Sequence, residues 1–270
     1  MLPTVMKMIK SHGLMPDKRF GQNFLLNSDI TDRIARLVPR IAESTVVEVG
    51  PGPAGLTRSL LEAGAKRVIA IELDARAIGI LEEVRASYPA LEVLNADAME
   101  IDVADFGVIT ICANLPYNIS VPLLAGWCMR AASVPNMVLM FQKEVARRIA
   151  SKPGSKEYGR ISVLAQLCYD VKCEFDLSPK CFTPAPKVVS TVVSFKRRPD
   201  FARPELLDRV DEILRAAFGG RRKMLRQSLK GLFTSEKLEA MGIAPTARAE
   251  ELSPGDFLRL SASVHTRARR

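Results

Sequence analysis

Three glycines and two acids carry the first chemical signal. Gly50, Gly52 and Gly55 in "VVEVGPGPAGLTRSLL" satisfy G-x-G-x-x-G directly after an apolar run and before a helical pattern, and Glu72 follows about twenty residues on. A loop of this kind at a strand end, opening onto a helix N-terminus, is where α/β sheets bind nucleotides. A pyrophosphate needs free backbone N–H donors and no nearby anion. Pro51 and Pro53 remove two donors, and Glu48 brings a carboxylate to the strand end. The loop is a poor cradle for a dianion. A nucleoside ligand with a cationic, zwitterionic end suits it better, and S-adenosylmethionine has that end. Glu72, closing "AIELD", suits two ribose hydroxyls as a bidentate acceptor, for a dinucleotide as much as for S-adenosylmethionine. Asp97 in "NADAM" is placed to accept from an adenine amino group.

These residues need a sheet to bring them together. From about residue 45, "TVVEV", "RVIAIEL", "LEVL", "GVITICAN" and "NMVLMF" alternate with helical patterns beginning near Ala54, Ala75, Val121 and Lys143. Strand and helix in alternation predict a parallel sheet covered on both faces. "YGRISVLAQLCYDV" reads as a further helix. "KCEFDL" and "KVVSTVVSFKRR" read as two more strands, a hairpin closing one edge. After Pro199 and Pro204 the pattern changes to short amphipathic helices in "PELLDRVDEILRAAF", "RRKMLRQSLKGLF", "SEKLEAMG" and "SPGDFLRLSASV". The expected organisation is a Rossmann-like α/β domain over 1–200 and a small all-helical domain over 201–270.

A fourth strand end, "ICANLPYNIS", sets Asn114, Leu115, Pro116 and Tyr117 after a buried strand. This polar-Pro-aromatic arrangement resembles the signature of methyltransferases that act on exocyclic amino nitrogens of bases. The lone pair of adenine N6 is delocalised into the ring, so the nitrogen needs acceptors on its N–H groups before it attacks. The Asn114 side-chain carbonyl and the Leu115 backbone carbonyl can accept them, Pro116 fixes the turn, and Tyr117 offers a face for stacking. No general base is required, and positioning supplies most of the acceleration. Hydride transfer commonly uses a relay histidine, and the chain has only His12 and His265, near opposite ends.

Taken together, the chain resembles the KsgA family of rRNA adenine dimethyltransferases over about residues 15–262. "KRFGQNFLLN", "VEVGPGPAGLT", "IELD", "NADAM", "NLPYNIS", "FQKEVARRI" and "CFTPAPKVVSTVV" are similar to the family's motifs in order. The resemblance implies a cofactor set of Gln22, Asn23, Leu25, Gly50, Gly52, Glu72, Leu73, Asp97, Ala98 and Asn114. It also implies a catalytic set of Asn114, Leu115, Pro116, Tyr117 and Phe182, with a flipped adenine between the Tyr117 and Phe182 rings. Two departures stand out: Pro53-Ala54 replaces the usual Gly-containing dipeptide, and Gly220 in "FGGRRKML" stands where a polar residue is frequent. The helical segments look like the small-subunit branch. That branch implies N6 dimethylation of two adjacent adenines in a small-subunit (16S-type) rRNA hairpin loop, on the immature subunit late in its assembly.

Charge is distributed accordingly. The net +9 divides into +4 over residues 1–40, −2 over 41–195 and +7 over 196–270. Basic flanks suit a polyanionic partner. Arg221, Arg222, Lys223 and Arg226, with Lys230, are the candidate RNA contacts, and Lys7, Lys10, Lys18 and Arg19 would extend the footprint. Five cysteines without a C-x-x-C pair argue against a zinc site or a disulfide framework. No apolar run reaches the ~20 residues that span a bilayer. The expectation is a cytoplasmic, monomeric enzyme without metal. A binding module that keeps the fold, with catalysis incidental, and a nicotinamide dehydrogenase are the alternatives.

Overall fold

The computed structural model describes residues 2–17, 21–202, 204–220 and 222–263. Lys18, Arg19, Arg221 and His265 therefore lie outside the described residues. The chain forms two compact units, Met1–Ala146 with Lys172–Lys196, and Arg147–Val171 with Arg197–Arg270.

The first unit opens with α1 (Val5–Ser11), β1 (Phe24–Leu25) and α2 (Ser28–Ala35). Asn27 caps α2 by accepting from the Ile30 N–H at 3.3 Å. The alternating part follows as β2 (Thr45–Val49), α3 (Gly55–Glu62), β3 (Arg67–Glu72), α4 (Ala75–Ser87), β4 (Leu91–Asn95), β5 (Thr110–Asn114), α5 (Ser120–Met129), β6 (Asn136–Gln142) and α6 (Lys143–Ala150). Two strands of the sheet come later, β7 (Tyr169–Leu177) and β9 (Ser190–Arg197), and β8 (Phe182–Thr183) pairs with β1 outside it. The sheet order is β4-β3-β2-β5-β6-β9-β7. The first five strands run parallel and β9 runs antiparallel to β6.

Burial follows the strand period of two. Val46, Val68, Ala70, Cys112, Val138 and Val192 join one core with Ile34 of α2, Leu60 of α3 and Ile80 of α4. Their neighbours Val47, Ile69, Ile71 and Ile111, pointing the other way, are equally buried. This two-sided burial explains why the strands read as continuous apolar runs. It also explains the weak alternation of "VVSTVVSF": β9 is an inner strand, and β7 takes the edge.

The second unit contains α7 (Arg160–Cys168), α8 (Pro204–Ala217), α9 (Leu225–Ser228), α10 (Ser235–Ala240) and α11 (Pro254–Ser263). Its helices α7, α8 and α11 pack on one another. Phe218 stacks at 5.8 Å on Phe257 and meets Tyr158 edge-on at 6.3 Å. Arg160 reaches Asp211 at 2.6 Å, joining α7 to α8.

Three details differ from the sequence reading. The expected division near residue 200 keeps Arg147–Val171 with the sheet, whereas this segment belongs to the helical unit, because α7 packs on α8 and α11. The helix expected through "YGRISVLAQLCYDV" ends at Cys168, and Tyr169 turns extended to begin β7. "RRKMLRQSLKGLF" holds only the four-residue α9. There Met224 bridges Arg248, and the Leu225 and Arg226 N–H groups donate to the Ala247 and Pro245 carbonyls at 2.8 and 2.9 Å. A tertiary partner satisfies donors that a longer helix would have used internally.

Candidate active site

All the strand-end residues singled out above meet in the first unit. A cavity at the C-terminal ends of β2, β3, β4 and β5 is lined by Gly50, Gly52, Glu72, Leu73, Asp97, Ala98 and Asn114. Leu115, Pro116 and Tyr117 continue the wall, and Gln22, Asn23 and Leu25 close it from the β1 side. Gln22 is fastened at both ends of its amide. Its Nε2 donates to Asp74 at 2.9 Å and its Oε1 accepts from the Asp17 N–H at 2.9 Å. The Arg76 guanidinium beside Asp74 holds that carboxyl below the usual range, so Gln22 meets a carboxylate.

The glycine loop has no donor to spare. Gly50 N–H donates to the Ile71 carbonyl at 2.9 Å, Gly52 N–H to Glu72 Oε2 at 2.9 Å and Ala54 N–H to the Pro51 carbonyl at 3.0 Å. Pro51 and Pro53 have none to give. Between Gly50 and Ala54 every N–H is absent or engaged, so the loop ahead of α3 offers no free donor to a dinucleotide pyrophosphate. Gly50 and Gly52 take φ of +69° and +51°, and Ala54 sits at +64° in the left-handed region where a side chain costs about 1–2 kcal/mol. The substitution noted at Pro53-Ala54 is thus accommodated with strain. Gly55 has another role: a Cβ there would lie 2.8 Å from the Leu25 backbone oxygen. Gly55→Ala is expected to lose about 1–3 kcal/mol of stability and to push β1 off the cavity. Urea unfolding together with cofactor titration checks both effects.

Glu72 is 5% exposed and accepts from Gly52 N–H and from Asp74 N–H at 2.8 Å. Burial raises its pKa, against the pull of those two donors. It therefore braces the loop as well as facing the cavity. Leu73 beside it is 53% exposed, an apolar surface on the cavity wall of a kind suited to a flat base. Asp97 spends one oxygen on the Met99 N–H at 2.8 Å, the turn-cap role, and its carboxylate still lines the cavity.

Glu48 is the residue that sequence reasoning misjudged. It is 2% exposed, and burial, aided by the nearby charge of Glu72, raises its pKa to about 8. The hydroxyl of the adjacent buried Thr57 offsets part of this rise. At neutral pH Glu48 is therefore mostly the neutral acid, so the β2 strand end does not carry the anion expected there. The available signal was an acid inside the apolar run "TVVEV", four of whose five residues are buried.

At the end of β5 the Asn114 Nδ2 donates to the Asn23 carbonyl at 3.2 Å. This commits the amide nitrogen to the wall and turns Oδ1 to an incoming donor. Pro116 packs against Gly50, its Cδ 3.4 Å from where a Cβ would stand. The Pro116 carbonyl accepts from Ile119 N–H at 3.2 Å, closing the turn. Tyr117 lines the cavity, and burial raises the pKa of its hydroxyl. Phe182 is placed differently from the expected sandwich. It is 4% exposed, pairs across β8–β1 with Leu25, and lies in the core, outside the cavity lining, because β8 turns its ring inward.

Comparison with known proteins agrees with this geometry. The family described as Ribosomal RNA adenine dimethylase matches residues 15–266. The chain belongs to the ribosomal RNA adenine dimethylase family. It is 49% identical to Ribosomal RNA small subunit methyltransferase A of Rhodospirillum rubrum, over 97% of this chain and 93% of the relative. Identity to the protein of that name from Paramagnetospirillum magneticum is 47%, over 98% and 96%. Among solved structures, a dimethyladenosine transferase from Plasmodium falciparum superposes with a TM-score of 0.74 at 28% identity, covering 87% of this chain and 94% of that one. The 23S rRNA methyltransferase ErmE gives 0.68 at 26% identity, covering 90% and 99%.

In this dimethylase chain the second unit carries the expected basic group. Arg222, Lys223, Arg226 and Lys230 are exposed, whereas Leu225 and Leu229 between them are buried. Gly220 lets the Lys223 stem lie against the backbone, since a Cβ there would stand 3.0 Å from the Lys223 Cδ. Among the described residues there is no group of three or more His, Cys, Asp or Glu able to hold a metal ion. No described helix is long and apolar enough to cross a membrane.

Proposed function

We propose that this chain dimethylates N6 of two adjacent adenines in a hairpin loop of small-subunit rRNA, late in subunit assembly, with S-adenosylmethionine held in the cavity of the first unit. The orientation of Asn114 carries the reading. With Nδ2 tied to Asn23, Oδ1 is the free acceptor at the strand end, next to the Leu115 carbonyl and the Tyr117 ring. Two acceptors on the N6 hydrogens favour a pyramidal nitrogen, and the ring holds the base by stacking worth about 1–3 kcal/mol.

The cavity fits the cofactor. Glu72 offers a buried carboxylate for ribose hydroxyls, Leu73 and Ala98 an apolar wall for the base, and Asp97 an acceptor for its amino group. Gln22, Asn23 and Leu25 cover the methionine end, and the neutral Glu48 supplies a further acceptor without adding charge. When bound, S-adenosylmethionine supplies an electrophilic methyl on a sulfonium. The residues then hold the amine in line with it and exclude water. After one transfer the amine has a single N–H left, so the second transfer proceeds with one acceptor contact fewer.

The unit roles follow from this assignment: the sheet unit, 1–146 with 172–196, binds cofactor and performs transfer, and the basic face of the helical unit holds rRNA through Arg222, Lys223 and Arg226. Arg221 is assigned with them from the sequence. Phe182 takes its place opposite Tyr117 only if β8 turns its ring out of the core. A cytoplasmic monomer working on the immature small subunit is the corresponding cellular picture. The small-subunit choice is supported by the names of relatives at 47–49% identity, against 26% for the 23S enzyme.

The test is transfer from labelled S-adenosylmethionine to small subunits lacking the modification, with large subunits as control and nucleoside mass spectrometry as readout. Dimethyladenosine in the small subunit alone is the expected result. Product in the large subunit would reassign the substrate, and bound cofactor without product would favour a binding module.

A further inference from the structure

The Tyr117 ring is held at both ends, and only one of the holds belongs to the motif that contains it. At the backbone end, the Pro116 turn and the Ser120 hydroxyl, which donates to the Tyr117 carbonyl at 2.9 Å, fix the Cα. At the far end the Tyr117 hydroxyl meets the Ser190 Oγ at 2.7 Å, across 73 residues of sequence. Ser190 is fully buried and opens β9. Its own backbone is immobilised, because it pairs with Gln142 at the end of β6 and the adjacent Val189 carbonyl accepts from Lys143 N–H at 2.9 Å. The hydroxyls that follow in the strand are used elsewhere: Thr191 donates to Asp176 and Ser194 to Glu174, each at 2.6 Å. Burial keeps the Tyr117 hydroxyl protonated, so the bond persists over the working pH range.

We propose that Ser190 is a positioning residue for methyl transfer: by holding the Tyr117 hydroxyl it fixes the position and long axis of the ring on which the target base stacks. This inference rests on the reading of Tyr117 as the stacking platform. A ring anchored only at its Cα swings about its first side-chain torsion, whereas one also pinned at its hydroxyl keeps its long axis in one place. The stretch from Phe182 to Ser190 thereby serves both halves of the site. At its start β8 pairs with β1, which covers the cofactor cavity, and at its end Ser190 holds the base platform.

The experiment compares wild type, Ser190→Ala, Tyr117→Phe and the double variant for cofactor binding, kcat and KM on unmodified small subunits, and the ratio of mono- to dimethyladenosine. Each single variant is expected to lower kcat by about 3- to 10-fold, the worth of one hydrogen bond, with cofactor affinity unchanged. The double variant should be no slower than either single one, since both delete the same bond. Monomethyladenosine should accumulate, because the second transfer has fewer contacts to fix the base. Ser190→Thr, which restores a hydroxyl on a side chain suited to a strand, should recover the rate. Losses that multiply in the double variant, a Ser190→Ala rate equal to wild type, or an equal loss of cofactor affinity would overturn the inference. If Ser190→Ala does not fold, Tyr117→Phe decides, because it removes the other half of the bond and leaves the strand intact. Wild type that binds cofactor but forms no product would instead sink the functional reading itself.

Discussion

Asn114→Ala is expected to lower methyl transfer by about 10²- to 10³-fold, the effect of removing one hydrogen-bonding group aimed at the reacting centre. Cofactor affinity should stay close to that of wild type, because Glu72, Asp97 and Leu73 are untouched. The structure adds a second comparison. Asn114 also donates to the Asn23 carbonyl at 3.2 Å, so part of any loss could come from loosening the β1 segment. Asn114→Asp separates the two roles: it keeps an acceptor for the substrate amine and replaces the donor to Asn23 by an oxygen. If acceptance from N6 dominates, Asp should retain more activity than Ala, measured as kcat on small subunits alongside S-adenosylhomocysteine titration. Equal loss of rate and cofactor affinity in Asn114→Ala would remove Asn114 from the catalytic role.

The second large effect concerns stability and pH. Glu48 keeps its proton to about pH 8 in the folded protein, whereas its ordinary pKa of 4.5 governs the unfolded chain. Between those values the folded state binds more protons than the unfolded one, so stability falls as pH rises. The contribution is fully present below about pH 4.5 and is lost through pH 8, with a total on the order of 5 kcal/mol. Glu48→Gln, neutral at every pH, should lack this slope. Urea midpoints at pH 5.5, 7 and 8.5 should find the variant gaining on wild type with each step. Parallel curves would mean that Glu48 ionises normally in its buried position. Glu72, whose pKa is also raised by burial, gives a slope of the same sign in both proteins, so the difference between them reports Glu48 together with its charge coupling to Glu72.

Local chemistry makes most of the site legible in the sequence. Strand ends can be read from apolar runs, and in a parallel sheet they converge, so alternation alone assigns Gly50, Glu72, Asp97 and Asn114 to one crevice. The unsuitability of the loop for a pyrophosphate also begins locally, with two prolines. Only the folded chain takes up the remaining loop donors, by engaging the N–H groups of Gly50, Gly52 and Ala54 with Ile71, Glu72 and Pro51. The protonation of Glu48 depends on how completely neighbouring strands and α3 remove water, and no sequence window contains that information.

What tertiary structure alone decided has a common physical origin in long-range partners. β9 lies inside β7 because it pairs with β6, α9 is short because residues 245–248 take its donors, and Arg147–Val171 joins the helical unit because α7 packs on α8 and α11. Phe182 faces the core because β8 pairs with β1. Ser190 touches Tyr117 only because β9 brings residue 190 beside the loop after β5. The sequence by itself determined the order of elements, the residues at the strand ends that line the cavity and the turn after β5, since these rest on periodicity and on residue chemistry within a few positions. Strand order, burial-driven protonation and the second anchor of the stacking ring depend on contacts between segments far apart in the chain, and folding alone could set them.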